Sequence, residues 1–174
     1  MMYFYCARLA YDELQNTVLP SKREEGYNLF TWHVLLLPIK EFGLLCFSND
    51  ASGLTIIFKY EVEDDIQVDY DLFKHELYKM MIQMDYPEGL VQTYLRMFSE
   101  INVSYHFDED HIFEIKDFMM KSRIDFFHNF DKNVCVQDKA STILNNAKLG
   151  KWFGRDIDKT PQAEMLYLIQ QLFK

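Results

Sequence analysis

Cys6, His33 and Asp50 are the residues whose types could perform nucleophilic chemistry. A thiol, an imidazole and a carboxylate can act as nucleophile, general base and orienting group when they converge in space. The sequence leaves that convergence open, because the three residues lie far apart along the chain. The alternative is structural. His33 follows Trp32 in a predicted strand, so the two side chains point to opposite faces, with Trp32 in the core and His33 bonded to a neighbouring strand or facing solvent.

The densest group of metal-capable side chains consists of His106, Asp108, Asp110 and His111. Imidazole and carboxylate groups bind several divalent metals. The spacing of this group matches no known ligand loop, and no glycine is present to turn a calcium loop. A strand that ends at Phe107, followed by acidic residues that cap a helix, explains the group without a metal. We therefore predict a helix start here and keep the metal site as the alternative.

Trp152 and Phe153 are two large aromatic residues between Gly150 and Gly154. Aromatic side chains at a turn are candidates for an exposed contact with another protein. The alternative is that they pack the C-terminal helix onto the rest of the molecule. The other glycines are scattered, so no phosphate-binding loop and no cofactor are predicted.

The formal net charge is −9, from 27 acidic and 18 basic side chains. Binding to a phosphate backbone needs clustered Lys and Arg, so direct nucleic-acid binding is not expected. An acidic surface is still suited to a basic protein partner. Three widely spaced cysteines without a Cys-x-x-Cys pair indicate a reducing compartment. No apolar run approaches 18 residues, so no membrane span is expected and a cytoplasmic location is predicted.

Three apolar runs of strand length must position these side chains. Residues 29–37, 42–47 and 54–58 are rich in aromatic and branched residues and are separated by turn residues, which predicts an antiparallel meander. Two further strands are predicted over residues 2–7 and 101–107.

Apolar residues at helical spacing cover most of the remaining chain. This spacing predicts helices over residues 70–84, 88–99, 111–129, 137–149 and 161–173, with a short helix or turn over 9–17. We therefore predict an α+β fold, in which an antiparallel sheet of four or five strands has helices packed mainly on one face. The main domain is expected to span residues 1–132, and residues 133–174 are expected to form a helical extension packed on it.

Several short motifs follow one another in a recognisable order. They are Cys6-Ala7-Arg8-Leu9, then Thr31-Trp32-His33-Val34, then Phe47-Ser48-Asn49-Asp50. In these motifs residues 2–130 resemble a family of small bacterial and phage proteins classed as a domain of unknown function. Its members carry Cys-Thr-Lys-Lys-Leu, Ser-Trp-His-Ala and Val-Asn-Asp. Their Lys-Thr-x-Asp-Arg-Ser element is matched here only by Asp110. The resemblance implies the fold and a bacterial or phage origin, and it implies no particular activity.

The function expected from the sequence is that of a non-enzymatic interaction protein from a bacterial or mobile-element genome. It would bind another protein through an acidic, aromatic-rich surface, and inhibition of a nucleic-acid-binding protein is one form of this. The first alternative is a small hydrolase or metal-dependent enzyme that uses the Cys/His/Asp set or the cluster at 106–111. The second alternative is an antitoxin-like regulatory component.

Overall fold

The computed structural model describes residues 2–6, 29–39, 42–60, 70–98, 101–105, 109–121 and 129–174. Strands in this part of the chain are β1 (Met2–Cys6), β2 (Thr31–Ile39), β3 (Phe42–Asn49), β4 (Thr55–Tyr60), β5 (Ile101–Tyr105), β6 (Gly150–Trp152) and β7 (Arg155–Ile157). Helices are α1 (Tyr70–Gln83), α2 (Glu88–Arg96), α3 (Glu109–Lys121), α4 (Asp138–Asn146) and α5 (Pro161–Leu172). The α+β class predicted from the sequence is confirmed.

A five-stranded sheet with the order β4-β3-β2-β1-β5 forms the centre of the fold. The meander β2-β3-β4 is antiparallel, as predicted. Strand β1 runs parallel to both β2 and β5, which makes the whole sheet mixed. Apolar alternation identifies a strand without giving its direction. Parallel pairing needs a connection of a dozen or more residues, and the chain from residue 7 to residue 30 is long enough to supply one.

Both faces of the sheet are covered, rather than mainly one. We call the face that packs against α1, α2 and α5 the front face and the opposite face the back face. The core on the front face combines sheet residues with helix residues. The sheet contributes Phe4, Trp32, Val34 and Phe47, and the helices contribute Phe73, Leu77, Val91, Tyr94, Met165 and Ile169. The core on the back face combines Leu35, Cys46 and Ile57 of the sheet with residues packed on it. These are Ile115, Phe118 and Leu144 of the helices, together with Trp152 and Phe153. The covered back face explains why the meander strands are apolar on both sides.

The outer edge of β4 is closed by side chains and backbone of the segment 135–145. Asn145 accepts a hydrogen bond from Thr55 N at 2.7 Å and donates one to Thr55 O at 2.8 Å. Ser141 Oγ accepts from Ile57 N at 3.1 Å, and the Gln137 N–H donates to Ile57 O at 2.9 Å. The segment therefore takes the place of a sixth strand and leaves these edge groups paired.

Most predicted helices appear close to their expected bounds. The helix expected from residue 111 begins earlier, at Glu109. The helix expected over 137–149 ends at Asn146, because Ala147 has an extended backbone. The predicted element over 9–17 lies outside the described residues. No helix in the described ranges is long and apolar enough to span a membrane. The division of the chain at residue 133 stays a prediction.

Closure of the β4 edge predicts a large difference between two adjacent asparagines. Asn145→Ala removes both hydrogen bonds to Thr55 and leaves buried backbone groups unpaired, so we expect a loss of about 2–3 kcal/mol in the free energy of unfolding. Asn146→Ala is the matched control, because it makes the same change in helix propensity on an exposed side chain. Urea denaturation measures both. Equal losses for the two variants would contradict the edge-closing role of Asn145.

Candidate functional site

Among the described residues, the structure brings two of the predicted catalytic residues into contact. They are His33 and Asp50. His33 Nε2 lies 2.8 Å from Asp50 Oδ1, which is hydrogen-bond distance. His33 comes from β2, and Asp50 follows the last residue of β3. Their exposed fractions are 5% and 3%, so the pair is closed to solvent.

The turn after β3 sets the position of Asp50. Asn49, which is fully buried, donates from Nδ2 to Leu29 O at 2.9 Å and accepts at Oδ1 from Ser52 N at 3.1 Å. The Asp50 N–H donates to Thr31 O at 2.9 Å. The Asn-Asp order therefore has a structural reason: Asn49 ties the turn to the start of β2, and Asp50 is then directed at His33.

A hairpin formed by β6 and β7 covers this pair. Trp152 Nε1 donates to Asp50 O at 3.0 Å, and Arg155 Nη2 donates to Ala51 O at 2.6 Å. The Phe153 ring lies edge-on to the His33 ring, with 5.0 Å between ring centroids. Trp152 and Phe153 are 0% and 4% exposed, so they do not offer the predicted exposed contact. The reason is that the hairpin folds both rings onto the back face of the sheet.

The turn between β6 and β7 holds Phe153 in an unusual backbone conformation. Phe153 has a φ of 47° and Gly154 a φ of 76°, the left-handed region that glycine adopts freely and phenylalanine does not. The left-handed conformation costs a non-glycine residue about 1–2 kcal/mol. A hydrogen bond from the Phe153 N–H to the Glu114 carboxylate stabilises this turn. In this conformation the Phe153 ring packs edge-on against the His33 ring.

Cys6 is not part of this pair. In the parallel register of β1 and β2, Tyr5 lies opposite His33, and Cys6 lies opposite Val34. Adjacent residues of a strand point to opposite faces, so Cys6 belongs to the front-face core while His33 faces the back. Burial also raises the pKa of the Cys6 thiol to about 12, which disfavours the thiolate that a nucleophile needs. The predicted set of Cys6, His33 and Asp50 is therefore reduced to its last two members.

The side chains of the four candidate metal ligands lie outside the described part of the structure. His106 and Asp108 lie outside the described residues. The backbone of Asp110 and His111 lies in the first turn of α3, and their side chains also lie outside the description. Among the side chains that the structure does describe, no three His, Cys, Asp or Glu residues converge.

An open groove between α1 and α2 was not predicted from the sequence. It has a volume of about 470 Å³ and is lined by Asp71, Lys74, His75, Tyr78, Gln92, Leu95 and Arg96. The spacing of the α1 residues is i, i+3, i+4 and i+7, which is one helix face. This polar face is visible in the sequence as a pattern. Its partner face on α2 becomes evident only once the two helices are packed together.

The groove has a cationic bias. Tyr78 Oη and Gln92 Nε2 each donate to Glu88 Oε1 at 2.9 Å, so this carboxylate already has two donors. The hydrogen bond to Glu88 raises the pKa of Tyr78, which keeps its hydroxyl protonated as a donor. His75 and Arg96 make no hydrogen bond or ion pair with any other described residue. The groove can therefore offer these two groups to an anionic ligand.

Burial of the His33–Asp50 pair predicts a stability effect for Asp50. Asp50→Ala removes a buried hydrogen-bond partner of His33, and we expect a loss of about 2–3 kcal/mol in the free energy of unfolding. Asp50→Asn keeps a polar group of the same shape and should lose less. The control Asp158→Ala removes a carboxylate whose side chain is 87% exposed, and it should change stability by less than about 0.5 kcal/mol. A stable Asp50→Ala protein would show that the pair is not a structural element.

Comparison with known proteins identifies the family and nothing narrower. No curated protein and no solved structure matches this chain. The model of a family described as "Domain of unknown function (DUF6933)" matches residues 3–155. The match runs beyond residue 130, where the resemblance noted in the sequence ends, and takes in Trp152 and Phe153 together with His33 and Asp50. Because it covers most of the chain, the protein belongs to this family of unknown function.

Proposed function

We propose that the protein is a non-enzymatic protein-interaction module. The observation that carries this proposal is the closure of the His33–Asp50 pair, which is 5% and 3% exposed beneath the β6–β7 hairpin. A general base must come within hydrogen-bond distance of its substrate. Here the polar atoms of the pair face each other, with Phe153 packed against the imidazole.

The surface proposed for the interaction is the groove between α1 and α2. Leu72 and Met97 are 41% and 46% exposed, and each follows a groove-lining residue in the sequence. Exposed apolar side chains on the helices that form a polar cleft are a common composition for a binding surface. The opposite sides of both helices contribute Phe73 and Val91 to the front-face core, which holds the groove on a packed framework.

The acidic character of the chain supports a second, finer part of the proposal. The described residues carry 14 acidic and 13 basic side chains, while the whole chain carries 27 and 18. The negative excess therefore lies mainly in the remaining residues, for example in the stretch 61–69. We propose from this charge that a basic protein, such as a nucleic-acid-binding protein, is one class of partner, which would contact the acidic part of the chain outside the cationic groove. We also propose a bacterial or phage origin, from the family resemblance, and a cytoplasmic location, from the widely spaced cysteines.

One observation favours an enzyme as the second candidate function. The 2.8 Å contact between His33 and Asp50 is the arrangement that orients an imidazole as a general base. This function would require the β6–β7 hairpin to move and admit a substrate.

Affinity purification of the tagged chain from its source organism tests the proposed function. We expect one partner protein in fixed stoichiometry, measured by size-exclusion chromatography with light scattering. Leu72→Glu combined with Met97→Glu should abolish its binding, because both changes place charge on the proposed surface. Val134→Glu is the matched control, since Val134 is 43% exposed and lies elsewhere.

The purification also separates the two candidate functions. A folded His33→Gln variant should still bind the partner at the wild-type stoichiometry, because His33 is covered. Absence of any partner, together with a reaction in the lysate that disappears in the His33→Gln variant, would reject the interaction module and favour the enzyme.

A further inference from the structure

We propose that the groove between α1 and α2 binds an acidic peptide segment of a partner protein. This inference rests on the proposed function and names the chemistry of the segment that the module would recognise. Although the chain has a net charge of −9, this groove is a cleft of the described surface that presents cationic side chains. Carboxylate side chains are the ligands that such groups bind in proteins.

Arg96 is the principal binding group of the groove. Its side chain is exposed, and it has no hydrogen-bond or ion-pair partner among the described residues. A guanidinium can donate two parallel hydrogen bonds to one carboxylate, a planar geometry that a lysine ammonium does not offer. Arg96 lies in the last turn of α2, where the helix dipole stabilises a cation without occupying its donors. The guanidinium is thus available to a ligand.

Lys74 and His75 extend the cationic side of the groove along α1. The Lys74 ammonium lies over the Phe98 ring, 5.8 Å from its centroid, a cation–π distance that holds the side chain near the end of α2. His75 is exposed and contributes a ring N–H donor whatever its tautomer. His75 on α1 and Arg96 on α2 can bind successive acidic side chains of one segment.

The carboxylates near the groove do not cancel this bias. Glu88 accepts hydrogen bonds from Tyr78 and Gln92 and is not among the residues that line the groove. The lining residues carry one carboxylate, Asp71, and two permanent cations, Lys74 and Arg96. An acidic ligand therefore meets a net positive lining.

The shape of the groove fits part of a peptide. Its volume of about 470 Å³ falls within the range of ligand sites, roughly 300–1,000 Å³, which accommodates a few side chains. Leu95, which is largely buried, is the apolar residue of the lining, and Leu72 and Met97 each follow a lining residue in the sequence. A segment that mixes acidic and apolar side chains matches these features.

Fluorescence anisotropy of a labelled hexaglutamate peptide, titrated with the full chain, tests the proposal. The net charge of the chain repels this peptide at long range, so saturable binding requires a local cationic site. Arg96→Gln should weaken binding at least about tenfold, because a charge-assisted hydrogen bond contributes that much or more. Lys148→Gln makes the same change of charge outside the groove, and its dissociation constant should stay within about twofold of wild type.

Three results would overturn the proposal. The first is absence of saturable hexaglutamate binding at millimolar protein. The second is equal weakening by Arg96→Gln and Lys148→Gln, which would mean that charge acts without a site. The third is tighter binding of inorganic phosphate than of hexaglutamate, measured by competition, which would make the groove a small-anion site.

Failure of the acidic-segment proposal and failure of the proposed function give different results. A purified partner whose affinity is unchanged by Arg96→Gln would leave the interaction module intact and reject the acidic segment. Binding of hexaglutamate that depends on Arg96, in a protein that captures no partner, would support the groove chemistry and reject the module.

Discussion

The hydrogen bonds between the segment 135–145 and strand β4 are the interaction on which the rest of the structure depends. An edge strand leaves every second backbone N–H and C=O group without a partner. Asn145, Ser141 and Gln137 pair these groups on Thr55 and Ile57. Because the segment is fixed there, α4 packs on the back face, and the chain after it returns across the sheet as the β6–β7 hairpin.

The hairpin in turn determines what the His33–Asp50 pair can do. A polar row crosses the back face of the sheet, with Tyr5, His33, Ser48 and Thr55 as successive register neighbours on four strands. Ser48 and Thr55 are joined by a hydroxyl hydrogen bond of 2.9 Å. Buried polar groups of this kind cost free energy unless each has a partner, and partners then favour one register over its neighbours. This buried polar row therefore specifies the register of the strands and the position of the β6–β7 hairpin on them.

The sequence predicts the elements of this fold better than their arrangement. The runs at 29–37, 42–47 and 54–58 indicate strands because their length, their branched and aromatic residues and the turn residues between them are local features of the sequence. Thr160 followed by Pro161 likewise marks the start of α5, where Thr160 Oγ1 accepts from Ala163 N. Arrangement depends on contacts between distant residues. The opposite faces of Cys6 and His33 follow from a parallel register that no local pattern contains.

The candidate sites also depend on contacts between residues that are distant in the sequence. His33 and Asp50 could be named from residue type, and their contact depends on the turn that Asn49 holds. Trp152 and Phe153 were expected at an exposed turn because large aromatics between glycines are common there. Their burial follows from the backbone of Phe153, whose positive φ is not evident from its type. The groove between α1 and α2 combines two helix faces that each resemble an ordinary solvated surface.

The β6–β7 hairpin excludes solvent from the His33–Asp50 pair in the folded protein. The most direct test is hydrogen exchange of the Trp152 indole N–H, which donates to Asp50 O. The chain has two tryptophans, so a Trp152→Phe variant assigns the resonance unambiguously. We expect this N–H to exchange as slowly as the most protected amides of the central sheet. Complete exchange within the first minutes under native conditions would show that the hairpin opens readily and would contradict a sealed pair.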